Sequence, residues 1–336
     1  MMTEATVVIP TYNFSKTLPA TLRSLEGLDY DRDKFEVIVV DDGSTDAVPD
    51  ILKEFQAGTR LRFSWFRRDR SRSFGPGPAR NVGITHAAGR VIAFTDADCL
   101  VDQGWLKAVF QAVVGAGHAV IGGAISTDDL MIFPWRLAPA GHIGVTANLA
   151  YDTAQVGKVY FNESFQGYVG QDFDLVLRLE KMGHPLHMIP EAKIVHPPNT
   201  FTRKAVVRRA LARKNEILLH KLYGDRVFEA IHPVFRPLIF RRISPATAVV
   251  LSSAIAAVVL LAFDWRRGLL IIGSAAVAAA AVFLGYFYRY CLLNRTAGAR
   301  LSVQDRCKTL LMLVMYFPVF VWSRIAGSIE FRHFML

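Results

Sequence analysis

The first hundred residues alternate between short apolar runs and segments whose apolar residues recur every three or four positions. The runs predict strands over 6–10, 36–41 and 91–95, and a further strand is predicted over 60–67. The periodic segments predict helices over 15–27, 46–55, 79–88 and 105–114. In the first of these helices Leu18, Leu22 and Leu25 share one face. Strands that alternate with helices in this way predict an α/β fold with a doubly wound, mostly parallel sheet.

The last quarter of the chain has a different pattern, with long stretches that carry no charge. Two uncharged runs over 243–263 and 268–288 each reach the roughly 20 residues that a membrane-spanning helix needs. A buried core helix is the alternative, but two such runs joined by Asp264–Arg267 favour a helical hairpin across a bilayer. A third apolar stretch, within 309–329, predicts a further span, a re-entrant segment or an interfacial helix.

Polar clusters follow three of the predicted strands, where a parallel sheet binds its ligands. They are PTYN at 10–13, DDGSTD at 41–46 and DAD at 96–98. The second cluster taken alone is also typical of a turn, and one aspartate of the third could cap the following helix. The pair Asp96 and Asp98 instead favours a hard divalent cation, Mn²⁺ or Mg²⁺, whose other ligands are phosphate oxygens.

The net charge of +10 indicates an anionic partner, such as nucleotide phosphates, an anionic lipid surface or nucleic acid. Nucleic acid is disfavoured, because the basic residues gather near the apolar runs and no recognition motif is present. Three cysteines without metal or disulfide spacing indicate a reducing compartment. The N-terminus lacks the basic region of a signal peptide.

Five segments together resemble the family 2 glycosyltransferases, which have the GT-A nucleotide-diphospho-sugar-binding fold. They are VVIPTYN (7–13), VIVVDDGSTD (37–46), GPARNVGI (77–84), TDAD (95–98) and FNESFQGYVGQDFDLVLRL (161–179). The resemblance covers roughly residues 5–220. It implies an α/β GT-A domain, here followed by an all-α transmembrane region.

The resemblance also implies roles for individual residues. Pro10, Thr11 and Tyr12 are expected to line the base and ribose of the nucleotide, and Asp42 to bond the base. Arg80 is expected near the donor.

The third motif supplies the expected metal site. Asp96 is expected to touch the ribose or the metal shell, and Asp98 to bind the metal. His196 is expected to complete the metal site, with a structural histidine as the alternative.

The segment GQDFDL departs from the family pattern, which commonly has Glu-Asp at its start. Here Gln171 replaces the glutamate, so Asp172 is the expected catalytic base. The missing charge predicts a lower pKa for Asp172 than in relatives. Capping of a helix over 173–182 is the alternative role for Asp172, and Asp174 is expected to be structural or to support the site.

The implied reaction is inverting, metal-dependent transfer of a hexose-type sugar from a nucleotide-diphospho-sugar to a hydroxyl of a lipid-linked or cell-envelope glycan. A polyprenyl-phosphate sugar synthase of the same fold is the alternative. A non-catalytic membrane scaffold is a third interpretation, disfavoured because both aspartates of DAD are present. A processive synthase is disfavoured because no Gln-x-x-Arg-Trp motif precedes the spans.

Together these features predict a catalytic domain over 1–220, a juxtamembrane linker over 221–242 and a transmembrane region over 243–336. Basic residues flank the hairpin at its base, which places residues 1–242 in the cytosol and the protein in an inner or plasma membrane. A basic helix over 203–214 is expected to meet membrane lipids or a lipid-diphosphate acceptor, unless it is simply solvated.

Overall fold

A computed structural model describes residues 3–71, 73–126, 146–167, 169–196, 207–208, 211–224, 319 and 322–332. The chain divides into two compact units, the first formed by Met1–Asp128 with Ala138–Asn199 and the second by Asp129–Leu137 with Thr200–Leu336.

The first half of the first unit follows the predicted alternation of strands and helices. Its strands are β1 (Ala5–Thr11), β2 (Phe35–Asp41), β3 (Arg62–Arg67) and β4 (Val91–Phe94). Its helices are α1 (Leu18–Glu26), α2 (Val48–Gly58) and α3 (Pro76–His86). The predicted apolar face of α1 is confirmed, since Leu18, Leu22 and Leu25 are all buried.

The second half of the unit contains shorter elements. Its strands are β5 (Leu100–Val101), β6 (Val120–Ser126), β7 (Leu149–Asp152) and β8 (Leu186–Val195). Its α-helices are α4 (Trp105–Phe110), α5 (Thr153–Val156) and α6 (Gln171–Lys181). A π-helical turn, Gln111–Gly115, continues α4, and a 3₁₀ turn, Thr146–Asn148, precedes β7.

The described strands form one eight-stranded sheet in the order β3-β2-β1-β4-β7-β6-β8-β5. Strands β1 to β4 pair in parallel, as predicted. The rest of the sheet is mixed, because β7 runs antiparallel to both β4 and β6 and β5 runs antiparallel to β8. The prediction of a mostly parallel, doubly wound sheet is therefore corrected to a mixed sheet. Antiparallel strands need no crossover helix, so the strand–helix alternation that predicts parallel pairing ends at β4.

Helix α3 packs tightly under β1 and carries residues of the predicted site. It begins at Pro76, three residues earlier than predicted, since proline suits the first turn of a helix. A Cβ placed on Gly83 would lie 2.4 Å from Cγ1 of Val8, so only glycine permits this approach of helix to strand.

An ion pair joins the start of β4 to the end of β7. Arg90 donates two hydrogen bonds to the buried Asp152 carboxylate, at 3.0 Å and 2.9 Å. Burial acts to raise the pKa of Asp152, but the bonds from Arg90, the Ala154 amide and Gln155 outweigh it and lower that pKa. The buried carboxylate thus stays charged and fixes the antiparallel pair.

The second unit contains α7 (Asn215–Tyr223) and α8, a helix over 322–330. Glu216 of α7 is buried between Arg213 and Arg324, with Nη1 of Arg324 3.6 Å from its carboxylate. Nζ of Lys214 lies 2.8 Å from the Glu330 carboxylate. These ion pairs connect α7 to α8.

Throughout the described ranges, no helix is both long enough and apolar enough to cross a membrane. The predicted spans over 243–263 and 268–288 lie outside the described residues, as do 309–318 and 320–321 of the possible third span. The end of that third segment belongs to α8, where Arg324 is fully buried in its contact with Glu216. The linker over 221–242 and the domain boundary at residue 220 stay predictions.

Candidate active site

The carboxyl ends of β1 and β2 are held together by their own loops. The Asp42 amide donates to the Thr11 carbonyl at 2.8 Å, and the Thr45 amide donates to Oδ1 of Asn13 at 2.8 Å. Pro10 and Thr11 are buried at the end of β1, and the Thr11 hydroxyl has no hydrogen-bond partner within the described residues. A buried, unpaired hydroxyl at this rim is available to a bound ligand.

Asp42 is buried and its carboxylate is fully engaged in this structure. Arg68 donates to its Oδ1, the Gly75 amide donates to its Oδ2 at 3.0 Å, and Nε of Arg70 lies 3.2 Å from the same Oδ2. The Arg70 guanidinium also lies over the ring of Tyr12, 3.6 Å from the centroid. Tyr12 and Asp42, both predicted to bind the base, are therefore joined through one arginine.

Arg80 of α3 is fully buried and contacts the first aspartate of DAD. Its Nη2 donates to Oδ1 of Asp96 at 2.6 Å, and its Nη1 lies 4.0 Å from Oδ1 of Asp172. Neither Nε nor Nη1 has a hydrogen-bond partner in the described part of the chain. Arg80 thus offsets the negative charge of Asp96, so that a protein cation reduces the repulsion between the two DAD aspartates.

The DAD loop itself is fixed from both sides. The Thr17 hydroxyl donates to the Ala97 carbonyl at 3.0 Å, and the Cys99 amide donates to the Asp96 carbonyl at 3.1 Å. Helix α4 begins at Trp105, with Asp102 accepting from the Gly104 amide. Neither Asp96 nor Asp98 caps this helix, so the capping alternative is wrong.

Asp98 meets His196, which directly follows β8. Nε2 of His196 lies 3.6 Å from Oδ1 of Asp98, a separation that a cation about 2.1 Å from each atom could bridge. Burial and the charge of Asp96 raise the pKa of Asp98, while His196 acts to lower it. A bound cation would relieve this unfavourable burial of charge, so the donor set fits a divalent ion.

The Cys99 sulfur lies within 4.8 Å of the donor atoms of Asp98 and His196. Burial, with the charges of Asp96 and Asp98, raises the pKa of Cys99 far above its usual value. The group therefore remains a thiol, which is a poor ligand for a hard cation.

Asp172 lies in the first turn of α6, which begins at Gln171. The residue before the helix is Gly170 in a left-handed conformation, so Asp172 does not cap α6 and that alternative is wrong. The Thr146 hydroxyl donates to Oδ1 of Asp172 at 2.8 Å. Burial raises the pKa of Asp172 above its ordinary value, although Arg80 and Thr146 act to lower it.

The neighbours of Asp172 have structural contacts. Gln171 is buried against Gly77 of α3 and donates to the Gly167 carbonyl at 3.1 Å. Asp174 is buried and accepts from Nε of Arg178 at 2.9 Å. The side-chain amide of Gln171 thus ties the preceding loop to α6.

Three residues of the site were not predicted: Arg68, Arg70 and Thr146. A signal for the arginines exists in the sheet register, since Asp41 of β2 lies opposite Arg67 of β3. The basic residues that follow β3 therefore face the acidic residues that follow β2. No local signal indicates Thr146, because its contact with Asp172 joins segments 26 residues apart.

Comparison with known proteins gives a family match and relatives that cover part of the chain. Residues 6–168 match the family model of glycosyl transferase family 2. Glycosyltransferase AglE of Haloferax volcanii is 31% identical over 119 residues, which cover 35% of this chain and 38% of AglE. The chain spans less than two thirds of the length of the curated relatives that it matches.

Two solved structures share the fold. A mannosyltransferase from Pyrobaculum calidifontis, in complex with GDP-Man and Mn²⁺, aligns with a TM-score of 0.57 at 22% identity, over 96% of this chain and 88% of that one. S. aureus TarS 1–349, in complex with UDP-GlcNAc, aligns with a TM-score of 0.51 at 16% identity, over 98% and 92%. Residues 6–168 therefore resemble glycosyl transferase family 2, and the structural alignments show that the chain has a GT-A-like fold.

Proposed function

We propose that the chain is an inverting, metal-dependent glycosyltransferase that moves a hexose from a nucleotide-diphospho-sugar to a hydroxyl of a lipid-linked or cell-envelope glycan. One observation carries the proposal: the buried Arg80 faces both Asp96 at 2.6 Å and Asp172 at 4.0 Å. The candidate base therefore lies near Asp96, the first carboxylate of the metal motif. The GDP-Man and Mn²⁺ bound to the structurally similar mannosyltransferase support a donor of this class.

In this proposal the donor lies along the rim formed by the ends of β1, β2 and β4. Tyr12 stacks with the base, Asp42 accepts a hydrogen bond from it, and Pro10 and Thr11 line the nucleoside. Asp96, held by Arg80, contacts the ribose or the metal shell. The positive charge of Arg80 also reduces the repulsion between Asp96 and the donor's phosphates.

Asp98 and His196 would hold the divalent cation, Mn²⁺ or Mg²⁺. When bound there, the cation stabilises the negative charge of the leaving diphosphate. The pair comes from the loop after β4 and from the end of β8, so the sheet itself sets the separation of the two ligands.

Asp172 takes the proton from the acceptor hydroxyl. The oxygen of that hydroxyl attacks the anomeric carbon, and the diphosphate leaves on the opposite face. A single displacement of this kind inverts the anomeric configuration. The raised pKa of Asp172 makes its carboxylate a stronger base than an exposed aspartate. Thr146 orients that carboxylate through its 2.8 Å hydrogen bond.

The basic flanks of the two uncharged runs support an integral membrane protein with its catalytic domain in the cytosol, where nucleotide sugars occur. Membrane lipids and a lipid-linked acceptor would then lie close to the domain. The basic segment over 203–214 would contact the anionic leaflet.

The test is release of nucleoside diphosphate by the full chain, measured over a panel of nucleotide sugars with Mn²⁺ or Mg²⁺. We expect one donor to be consumed in a metal-dependent way. If the folded protein released no nucleoside diphosphate from any donor, the non-catalytic scaffold would be favoured. Turnover that survives Asp172→Asn would favour a phosphate acceptor, because a phosphate oxygen needs no base.

A further inference from the structure

The side chain of Arg70 lies on the surface that the proposed function assigns to the nucleotide base. Its guanidinium carbon is 3.6 Å from the centroid of the Tyr12 ring, and its Nε is 3.2 Å from Oδ2 of Asp42. Its aliphatic stem passes over Gly43, where an added Cβ would lie 3.2 Å from both Cγ and Cδ of Arg70. The second aromatic ring nearby, Phe74, has its centroid 5.7 Å from the guanidinium.

These contacts are the same in kind as those of a bound nucleobase. A guanidinium is flat, stacks on aromatic rings and presents N–H donors along its edge. A nucleobase is also flat, stacks on aromatic rings and presents N–H donors to carboxylates. The Arg70 guanidinium and a nucleobase cannot both stack on the same face of the Tyr12 ring and donate to Oδ2 of Asp42. Binding of one therefore excludes the other.

We propose that Arg70 occupies the base position in the free protein and that the base of the donor displaces it on binding. This inference rests on the proposed function, because it assumes that Tyr12 and Asp42 receive the base. It makes Arg70 a built-in competitor that weakens the binding of nucleotides.

The surroundings of Asp42 make this exchange inexpensive. When Arg70 leaves, the carboxylate keeps the hydrogen bond from the Gly75 amide and the ion pair with Arg68. Arg68 is itself held by Ser73, through the carbonyl at 3.0 Å and the hydroxyl at 2.8 Å. Breaking an ion pair becomes costly when it leaves a buried charge unpaired. Here Asp42 stays paired with Arg68.

The two arginines also differ in access to water. The Arg70 side chain is 26% exposed, against 13% for Arg68. Arg70 can therefore move into solvent and recover its hydration, whereas Arg68 stays as the permanent partner of Asp42. Asp42 is thus paired with a fixed cation, Arg68, and with an exchangeable cation, Arg70, that covers its Oδ2.

The experiment is a calorimetric titration of the full chain with UDP, GDP and inorganic pyrophosphate, each in the presence of Mn²⁺. Wild type is compared with Arg70→Ala and Arg70→Lys. The matched control is Arg60→Ala, which removes an exposed positive charge just before β3, at the other end of that strand. A thermal melt of each variant verifies that it is folded.

We expect Arg70→Ala to bind the preferred nucleoside diphosphate about two- to tenfold more tightly, the range set by one cation–π contact and one partly exposed ion pair. Arg70→Lys should lie between Arg70→Ala and wild type, because it keeps the charge and loses the flat stack. Pyrophosphate, which has no base, should gain no affinity in Arg70→Ala. Arg60→Ala should match wild type for all three ligands.

Equal or weaker nucleotide binding by Arg70→Ala would overturn the inference, since it would mean that Arg70 does not compete for the position or supports the bound base instead. Tighter binding of pyrophosphate by the same amount would also overturn it, because the effect would not involve the base. A wild type that binds neither UDP nor GDP, and that releases no nucleoside diphosphate from any donor of the panel, would instead contradict the proposed function itself.

Discussion

The chemical state of one carboxylate, Asp172, decides how the proposed transfer depends on pH. Burial raises its pKa, and the positive charge of Arg80 and the hydrogen bond from Thr146 partly oppose that shift. A base acts only when deprotonated, so turnover should fall as the pH drops through this raised pKa. The acid limb of the pH–rate profile is therefore expected above the value of about 3.9 that is ordinary for aspartate.

Thr146→Val tests the hydrogen bond that supports this base. Losing the 2.8 Å bond removes a contact that favours the charged carboxylate, so the acid limb should move to higher pH. The measurement is kcat/KM against pH for wild type and variant. The control is Thr85→Val, whose hydroxyl donates only to the Asn81 carbonyl on α3 at 2.9 Å. An acid limb that does not move in Thr146→Val would mean that this hydroxyl does not tune Asp172.

Asp172→Asn separates catalysis from stability. We expect turnover to fall by about 10²- to 10⁴-fold, the usual contribution of a general base. Because the folded-state pKa is raised, charging Asp172 at pH 7 opposes folding, so the amide should leave the free energy of unfolding unchanged or higher. Both quantities can be measured, by donor turnover and by urea unfolding.

Asp174→Asn is the matched comparison for that variant. Asp174 is buried and accepts a 2.9 Å bond from Arg178, so the amide should lower the free energy of unfolding by about 1–3 kcal/mol. Turnover per folded molecule should change far less than in Asp172→Asn. Equal loss of stability in the two variants would assign Asp172 a structural role instead.

Helix α3 is the element that links the sheet to the site. It packs against β1 through Gly83 and holds Arg80 between Asp96 and Asp172. Gly83→Ala would place a methyl group 2.4 Å from Cγ1 of Val8 and push the helix away from the strand. We expect about 1–3 kcal/mol of lost stability, with lower turnover because Arg80 moves with the helix.

Gly58→Ala is the control for this substitution, because a Cβ added at the end of α2 would have no described atom within 4 Å beyond its chain neighbours and the backbone of its own helix. Alanine there should leave the free energy of unfolding unchanged or slightly higher. If Gly83→Ala resembled Gly58→Ala in both stability and turnover, the close contact of α3 with β1 would not be what positions Arg80.

How far each element could be predicted depends on where its partners lie in the sequence. The strands β1, β2 and β4 were predictable because buried parallel strands form continuous apolar runs that end in polar turns, whereas β3 is only partly buried and carries arginine at both ends. The short β5 and the glycine-interrupted β6 lack such a pattern, and β8 is stabilised by strands far away in the chain. Local periodicity carries no information about those pairings.

The same distinction applies to the site. The approach of His196 to Asp98 agrees with the expectation for the motif, although the metal role of both residues is still a prediction. The pairing of Asp42 with two arginines follows from the register of β2 against β3, which the sequence alone does not give because the whole fold sets it. For the same reason the sequence indicated a cation near Asp96 but not that Arg80 would supply one.

At the scale of the whole molecule, the charge distribution and the uncharged runs predict membrane attachment. The full chain should stay in the membrane fraction after an alkaline wash, because two spans of about 20 residues do not leave a bilayer when peripheral contacts are broken. Fractionation of cells that express the full chain measures this. Release of the full chain by the wash would contradict the proposed spans, while leaving the catalytic proposal intact.

Asp98 and His196 are proposed to hold a divalent cation beside the diphosphate of the donor, and Asp172 is proposed to activate the acceptor. Turnover measured against Mn²⁺ concentration, for wild type, Asp98→Ala and His196→Ala, tests the proposed metal site most directly. We predict saturable Mn²⁺ activation for wild type, a requirement for at least about tenfold more Mn²⁺ in His196→Ala, and loss of turnover in Asp98→Ala. Full turnover by Asp98→Ala with an unchanged Mn²⁺ dependence would contradict this proposal.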